Sequence, residues 1–133
     1  MMLRNLTLGQ DLELSHDLMW VDEHEWTPVT ASAEYSLTGA LLLEYATRQA
    51  GRPISLQPPE NSMAWHTRAV ADLLRTWSTA PGQQFRLTLD DGRGFNVVFR
   101  HHEPPALEAE PVRQMATYDA DDYWLVKLKF MEI

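Results

Sequence analysis

The chain contains no cysteine, which excludes disulfides, thiolate zinc sites and cysteine nucleophiles and suits folding in a reducing cytoplasm. Positive charge is scarce as well. Eleven Lys and Arg stand against nineteen Asp and Glu, giving a net charge of −8 and an isoelectric point near 5.0. Phosphate binding draws on clustered Lys and Arg, and the basic residues here are scattered, which argues against a general nucleic-acid binder. No apolar run approaches the length of a membrane span. Met1–Thr7 lacks a basic region leading into a long apolar stretch, so no signal peptide is expected. Internal repeats, low-complexity tracts and interdomain linkers are also missing. What remains is ordinary: 44% apolar and 23% charged residues over 133 positions, the composition of one globular domain, 1–133, with a single core.

The chain is organised around the stretch Trp65–Phe99. Within Ala64–Trp77, the residues Val70, Leu73, Leu74 and Trp77 recur at the spacing that places them on one face of a helix. Asn61 or Ser62 is expected to cap it, and Ala80-Pro81-Gly82 to stop it, because proline cannot continue the hydrogen-bond ladder. Phe85–Leu89 and Phe95–Arg100 then alternate apolar and polar residues. The glycines of Asp90-Asp91-Gly92-Arg93-Gly94 supply the positive φ that a tight hairpin connection needs.

The rest reads as β-structure. Leu6, Leu8, Leu12 and Leu14 share a parity interrupted at Gly9-Gln10-Asp11, as in a bent strand or hairpin. His16–Glu25 predicts a short strand and an acidic loop, and Pro28 marks an edge or a strand start. Tyr35–Thr38 alternates up to Gly39. Ala40–Tyr45 is apolar on both parities, as a strand covered on both faces would be; a helix over Ala40–Gln49 is the alternative. Ile54–Leu56 alternates again. Ala106–Val112 carries its glutamates on one side, the pattern of an edge strand, and Arg113–Asp122 is an acidic loop expected to be the most mobile segment. In the last strand Trp124, Val126, Leu128 and Phe130 face one way, with Lys127 and Lys129 opposite. The fold class expected is mainly β with one α-helix: an antiparallel β-sandwich or split barrel with the helix packed across the sheet.

Candidate sites are few. His101-His102-Glu103 are adjacent on an extended chain, so the two imidazoles point apart and do not converge on one ion, and Asp22-Glu23-His24-Glu25 lacks the His-Glu-x-x-His spacing. No metal or cofactor is expected. Nineteen carboxylates give no reason to single out an acid–base pair, and a solvated surface accounts for them better. Ser15, Ser32 and Ser36 lack the Gly-x-Ser-x-Gly elbow of a nucleophile, so no catalytic residue is assigned. Among the five tryptophans, Trp77 and Trp124 fall on core faces. Trp20, Trp26 and Trp65 flank polar or proline-bearing segments and are candidate partner anchors, or stacking platforms for a ligand such as a carbohydrate. The loops Asp17–Glu25 and Arg113–Asp122 each pair charge with an aromatic, Trp20 in the first and Tyr118 in the second, and are expected to become ordered against a partner, which makes Tyr118 the fourth candidate partner contact.

Several phrases resemble a known group. Trp26-Thr27-Pro28-Val29, Tyr35–Leu41 and Gly51–Leu56 are similar to small tail proteins of bacteriophages and prophages, and so are Phe99–His102 and Tyr123–Phe130. The likeness runs from about Trp20 to the end of the chain, and the order of elements resembles the tail-tube fold of tube and distal tail proteins. It implies a non-enzymatic structural protein of the tail tip or baseplate, located in the virion tail and made in the bacterial host cytoplasm. The implied partners are tail-tube, hub and baseplate proteins, with the chain itself in a homo-oligomeric ring. The large extra domains that many distal tail proteins use for host saccharides are missing, which favours a bare ring component over carbohydrate binding.

Overall fold

The structure is a computed structural model and describes residues 1–133. In chain order the elements are β1 (Met2–Asn5), β2 (Gln10–Glu13), β3 (Met19–Trp20), β4 (Val29–Tyr35), β5 (Leu41–Thr47), β6 (Pro53–Gln57) and β7 (Trp65–Thr67). The helix α1 (Arg68–Thr79) follows, then β8 (Phe85–Thr88), β9 (Gly94–Phe99), β10 (Leu107–Pro111) and β11 (Tyr123–Glu132). The protein is mainly β with one helix, and every strand pairing is antiparallel.

The alternation in β11 gives it two partners on each side. Its first half pairs with β7 and β10, and its second half with β6 and β9. From there the main sheet runs β2-β1-β8-β9-β11-β6-β3 and ends at β2 and β3 without closing. Its inner face carries Leu3, Ile54, Leu56, Leu87, Val97, Val126 and Leu128, all buried. Phe85, Phe99 and Phe130 stack at the centre, with ring centroids 5.2 Å (Phe85–Phe99) and 4.9 Å (Phe99–Phe130) apart. The helix covers this layer with Leu74 and Trp77, both buried, while Val70 and Leu73 pack half-buried at the margin. Trp77 meets Phe85 at 5.6 Å. The helical face expected from the spacing is therefore the face that packs, and the body is a sandwich-like arrangement.

Several boundaries differ from the sequence reading. The helix begins at Arg68, because Trp65–Thr67 is a strand on β11. The cap is Thr67, whose hydroxyl accepts the Val70 N–H at 3.4 Å, and neither Asn61 nor Ser62 serves. The next two free N–H groups, of Arg68 and Ala69, donate to the Asp122 and Ala120 carbonyls, so the acidic loop closes the helix start. In the first hairpin Leu6 and Leu8 lie exposed at the turn, Leu12 is half-buried, and Leu3, Asn5 and, just past β2, Leu14 are buried. Between β8 and β9 only Gly92 takes a positive φ, 91°. Gly94 serves otherwise, since a Cβ there would meet the Arg86 guanidinium at 2.5 Å. No helix is long and apolar enough to cross a membrane.

The largest difference lies in the second sheet. The strands β4 and β5 pair only with each other, and every residue in both is exposed. Strand is the observed state of Leu41–Thr47, but the cover expected on both of its faces is missing. Three consecutive leucines satisfy the pattern of a doubly covered strand, yet no layer of the body reaches them. An Arg48 N–H to Pro28 carbonyl bond of 2.7 Å closes the root of this arm.

Candidate functional site: an apolar arm and an aromatic groove

Register decides what the arm presents. Opposed residues share a face, and the pairs Val29↔Thr47, Ala31↔Tyr45, Ala33↔Leu43 and Tyr35↔Leu41 gather Val29, Ala31, Ala33, Tyr35, Leu41, Leu43 and Tyr45 on one side, with Thr47 at its root. The other side holds Thr30, Ser32, Glu34, Leu42, Glu44 and Ala46. The arm is thus amphipathic across its thickness, with an apolar face exposed to water. An isolated two-stranded ribbon is marginally stable in water, and a contiguous exposed apolar patch marks an interaction surface. Glu34 and Glu44 have no cationic partner.

A second apolar feature lies on the body. Trp65, Val112, Met115, Tyr118 and Tyr123, together with the oppositely charged Arg113 and Asp122, line a groove of about 310 Å³. Strand β7 brings Trp65 beside Tyr123 through the β11 ladder, and the two rings lie 5.4 Å apart. The Trp65 indole N–H donates to the Asn61 carbonyl at 2.8 Å, which fixes the ring while leaving it 43% exposed. Tyr118 stands on Trp124 at 5.1 Å, beneath the Arg68 guanidinium at 5.6 Å, and its hydroxyl accepts the Met115 N–H at 2.9 Å. Two of the anchor candidates, Trp65 and Tyr118, therefore meet in one place.

The other two do not join them. Trp20 is half-buried on β3, edge-on to Phe95 at 5.4 Å, with the guanidinium groups of Arg52 at 4.8 Å and Arg93 at 5.6 Å from its ring. Arg93 is itself held by Glu23 and Asp91, each at 2.7 Å. Bonding to Glu23, then to Asp91, raises the Arg93 pKa, and the Arg93 backbone N–H lowers that of Asp91. Trp20 therefore fastens the β8–β9 turn to the β3 loop. Trp26 sits half-buried just before the root of the arm.

Asp22, Ser55, Arg100 and Glu103 form a polar network in the body. Asp22 accepts the Ser55 N–H at 2.9 Å and the Ser55 hydroxyl at 2.8 Å, and the buried Arg100 donates to the same hydroxyl at 2.8 Å. Glu103 lies 3.2 Å from Arg100 and 3.8 Å from His102, and His101 leans on Phe99 at 5.9 Å. No three metal-ligating side chains converge. His66 is 5% exposed, and desolvation lowers its pKa, offset only in part by the Ala64 carbonyl.

Sequence reasoning singled out neither the apolar face of the arm nor Val112, Met115 and Tyr123 in the groove. The signal that was present is the crowding of Tyr35, Leu37, Leu41, Leu42, Leu43 and Tyr45 around one glycine. Compared with protein-family models, curated proteins and solved structures, the chain finds no match.

Proposed function

We propose that the chain is a structural component of a phage or prophage tail, placed in the tail tip or baseplate as a distal-tail-like ring protein. It acts by assembly with copies of itself and with tail-tube, hub or baseplate proteins, and catalyses nothing. The single observation that carries this reading is the arm: an ordered ribbon projecting from a packed body with its apolar face uncovered. A surface of this kind is stable in water when a partner covers it. The phrases resembling phage tail proteins name the assembly, and two of them, Trp26–Val29 and Tyr35–Leu41, lie at the root and tip of the arm. Mass spectrometry of purified particles from the phage or prophage that encodes the chain tests the proposal. The chain should be found in the tail fraction, with tube, tape-measure and hub genes beside its own. Its absence from particles, or a gene neighbourhood drawn from metabolism, overturns the reading.

A ligand-binding module, for instance for carbohydrate, is the second reading, and the exposed Trp65–Tyr123 pair favours it. Against it, Trp20, Trp26 and Trp65 do not form one platform, and guanidinium groups already stand against the Trp20 ring. Glycan-array binding abolished by Trp65→Ala would establish this alternative.

A further inference from the structure

The apolar face of the arm has relief. Its side chains stand in the rungs Val29–Thr47, Ala31–Tyr45, Ala33–Leu43 and Tyr35–Leu41. The β4 row is low at Ala31 and Ala33, while the β5 row beside it stands high at Tyr45, Leu43 and Leu41. The face is therefore a trough alongside a ridge. Both charged residues of the arm, Glu34 and Glu44, project from the opposite face.

A sheet face is covered by a second sheet about 10 Å away whose side chains interdigitate with its own. Two copies can stack their apolar faces in two ways. With the arms antiparallel, ridge lies on ridge and the alanines face each other across a void. With the arms parallel, about a two-fold axis running along them, the β5 row of each copy lies over the β4 row of the other. Tyr45 then fills the space above Ala31 of the second copy, and Leu43 fills the space above its Ala33. Leu41 meets Tyr35 at the tip and Thr47 meets Val29 at the root. Large residues set against small ones give the close packing of a protein interior. The carboxylates of both arms end on the two outer faces, away from the contact. Pairing the open strand edges instead would extend the ribbon and leave both apolar faces in water.

Area agrees with this arrangement. Tyr35 is 76% and Tyr45 69% exposed, and Val29, Leu41 and Leu43 are each about half exposed. An aromatic side chain buries about 150–250 Å², so stacking removes on the order of 600 Å² per copy from water. The pair of copies thus buries about 1,200 Å², the lower end of the range for a specific protein–protein contact.

We infer that two copies of this chain pair through their arms, apolar face to apolar face and pointing the same way, with each β5 ridge seated in the other copy's β4 trough. This rests on the assembly reading above and names the partner that covers the arm. The contact is isologous and closes at two copies, which leaves the flanks of the body for further assembly.

A change of size without a change of charge tests the fit. Ala33→Leu fills the trough, and sedimentation equilibrium should show the dimer dissociation constant raised about tenfold, the effect of overpacking a fitted contact. Adding Leu43→Ala exchanges ridge and trough at that rung and should restore dimerisation. Unspecific apolar association would instead be strengthened by the added leucine. Since the chain has no native cysteine, disulfide trapping reads the register separately. Ala33→Cys mixed with Leu43→Cys at millimolar protein and oxidised should give a heterodimer several-fold above a control of Ala33→Cys with Glu44→Cys. All three positions are exposed on a ribbon that shares no strand pairing with the body, and circular dichroism checks that the body stays folded. No dimer at millimolar protein, stronger association of Ala33→Leu, or a heterodimer yield no higher than the control overturns the arm pairing and leaves the tail assignment standing. A chain that pairs as expected but is missing from phage particles overturns the tail assignment alone.

Discussion

His66 Nε2 accepts the backbone N–H of Ser15 at 3.0 Å, tying the segment after β2 to the strand that leads into the helix. Its ring is buried. Burial disfavours the charged imidazole, so its folded pKa lies below the 6.5 of an ordinary histidine. As pH falls the unfolded chain takes up the proton first. The stability carried by the neutral ring is therefore complete above about pH 6.5 and is lost as pH falls towards the folded value. Urea midpoints should drop as pH falls below about 6.5. In His66→Gln, which keeps a neutral acceptor, that drop should shrink; an unchanged pH slope in this variant would assign the effect to other groups.

Core packing supplies the second prediction. Leu74 is fully buried while Leu73 is half-buried, so the two leucines should differ despite adjacent positions on one helix. Leu74→Ala should cost about 2–5 kcal/mol, the usual range for a cavity in a closed core. Leu73→Ala should cost about 1–2 kcal/mol. Equilibrium denaturation separates them, and equal losses would contradict the observed helix rotation.

Trp20 and its two arginines give the third. The Arg52 guanidinium lies 4.8 Å from the Trp20 ring and donates to the Glu23 carbonyl at 3.0 Å. Arg52→Ala removes both contacts and should destabilise the body by about 1–2 kcal/mol. Arg52→Lys should recover only part of this, since an ammonium group lacks the planar stack. Full recovery by lysine, read from the urea midpoint, would show that charge alone matters there.

These elements differ in how far sequence reveals them. The alternation Trp124, Val126, Leu128, Phe130 and the helical spacing of Val70, Leu73, Leu74 and Trp77 are local periodicities with one geometric solution, and the structure follows both. Trp65–Thr67 was hidden because nothing within those residues distinguishes a helix start from a strand; their partner Tyr123–Leu125 lies far along the chain. Leu41-Leu42-Leu43 has the pattern of a covered strand because periodicity reports apolar character and not whether a layer of the body reaches it. The gathering of Trp20, Arg52 and Arg93 and the meeting of Trp65 with Tyr118 bring strand residues together with loop residues far away in the chain, which single residues do not announce.

The arm gives the fourth prediction. It shares no strand pairing with the body, and its root is closed by the Pro28–Arg48 backbone bond. Replacing Val29–Thr47 by a short Asn-Gly turn should therefore leave the thermal midpoint of the body nearly unchanged while abolishing self-association in sedimentation. Collapse of the body on arm removal would mean that the ribbon supports the fold, and persistent association would place the contact elsewhere.

Salt dependence distinguishes what drives that association. Each copy carries a net charge of −8, so two copies repel throughout their approach at low ionic strength, where screening is weak. An exposed ion pair between copies contributes only about 0–1 kcal/mol. Burial of the arm's apolar face is insensitive to screening and strengthens in sulfate, which is excluded from protein surfaces. The isolated chain should thus be monomeric or weakly associated in dilute low-salt buffer. Its association should rise with sodium chloride as repulsion is screened, and rise further in sulfate at matched ionic strength. Sedimentation velocity across protein and salt concentrations measures this directly. Association that weakens steadily as salt is added would identify ion pairs as the driving contact. A stable ring at micromolar protein, indifferent to salt and to deletion of Arg113–Asp122, would remove both the acidic loop and the groove it lines from control of assembly.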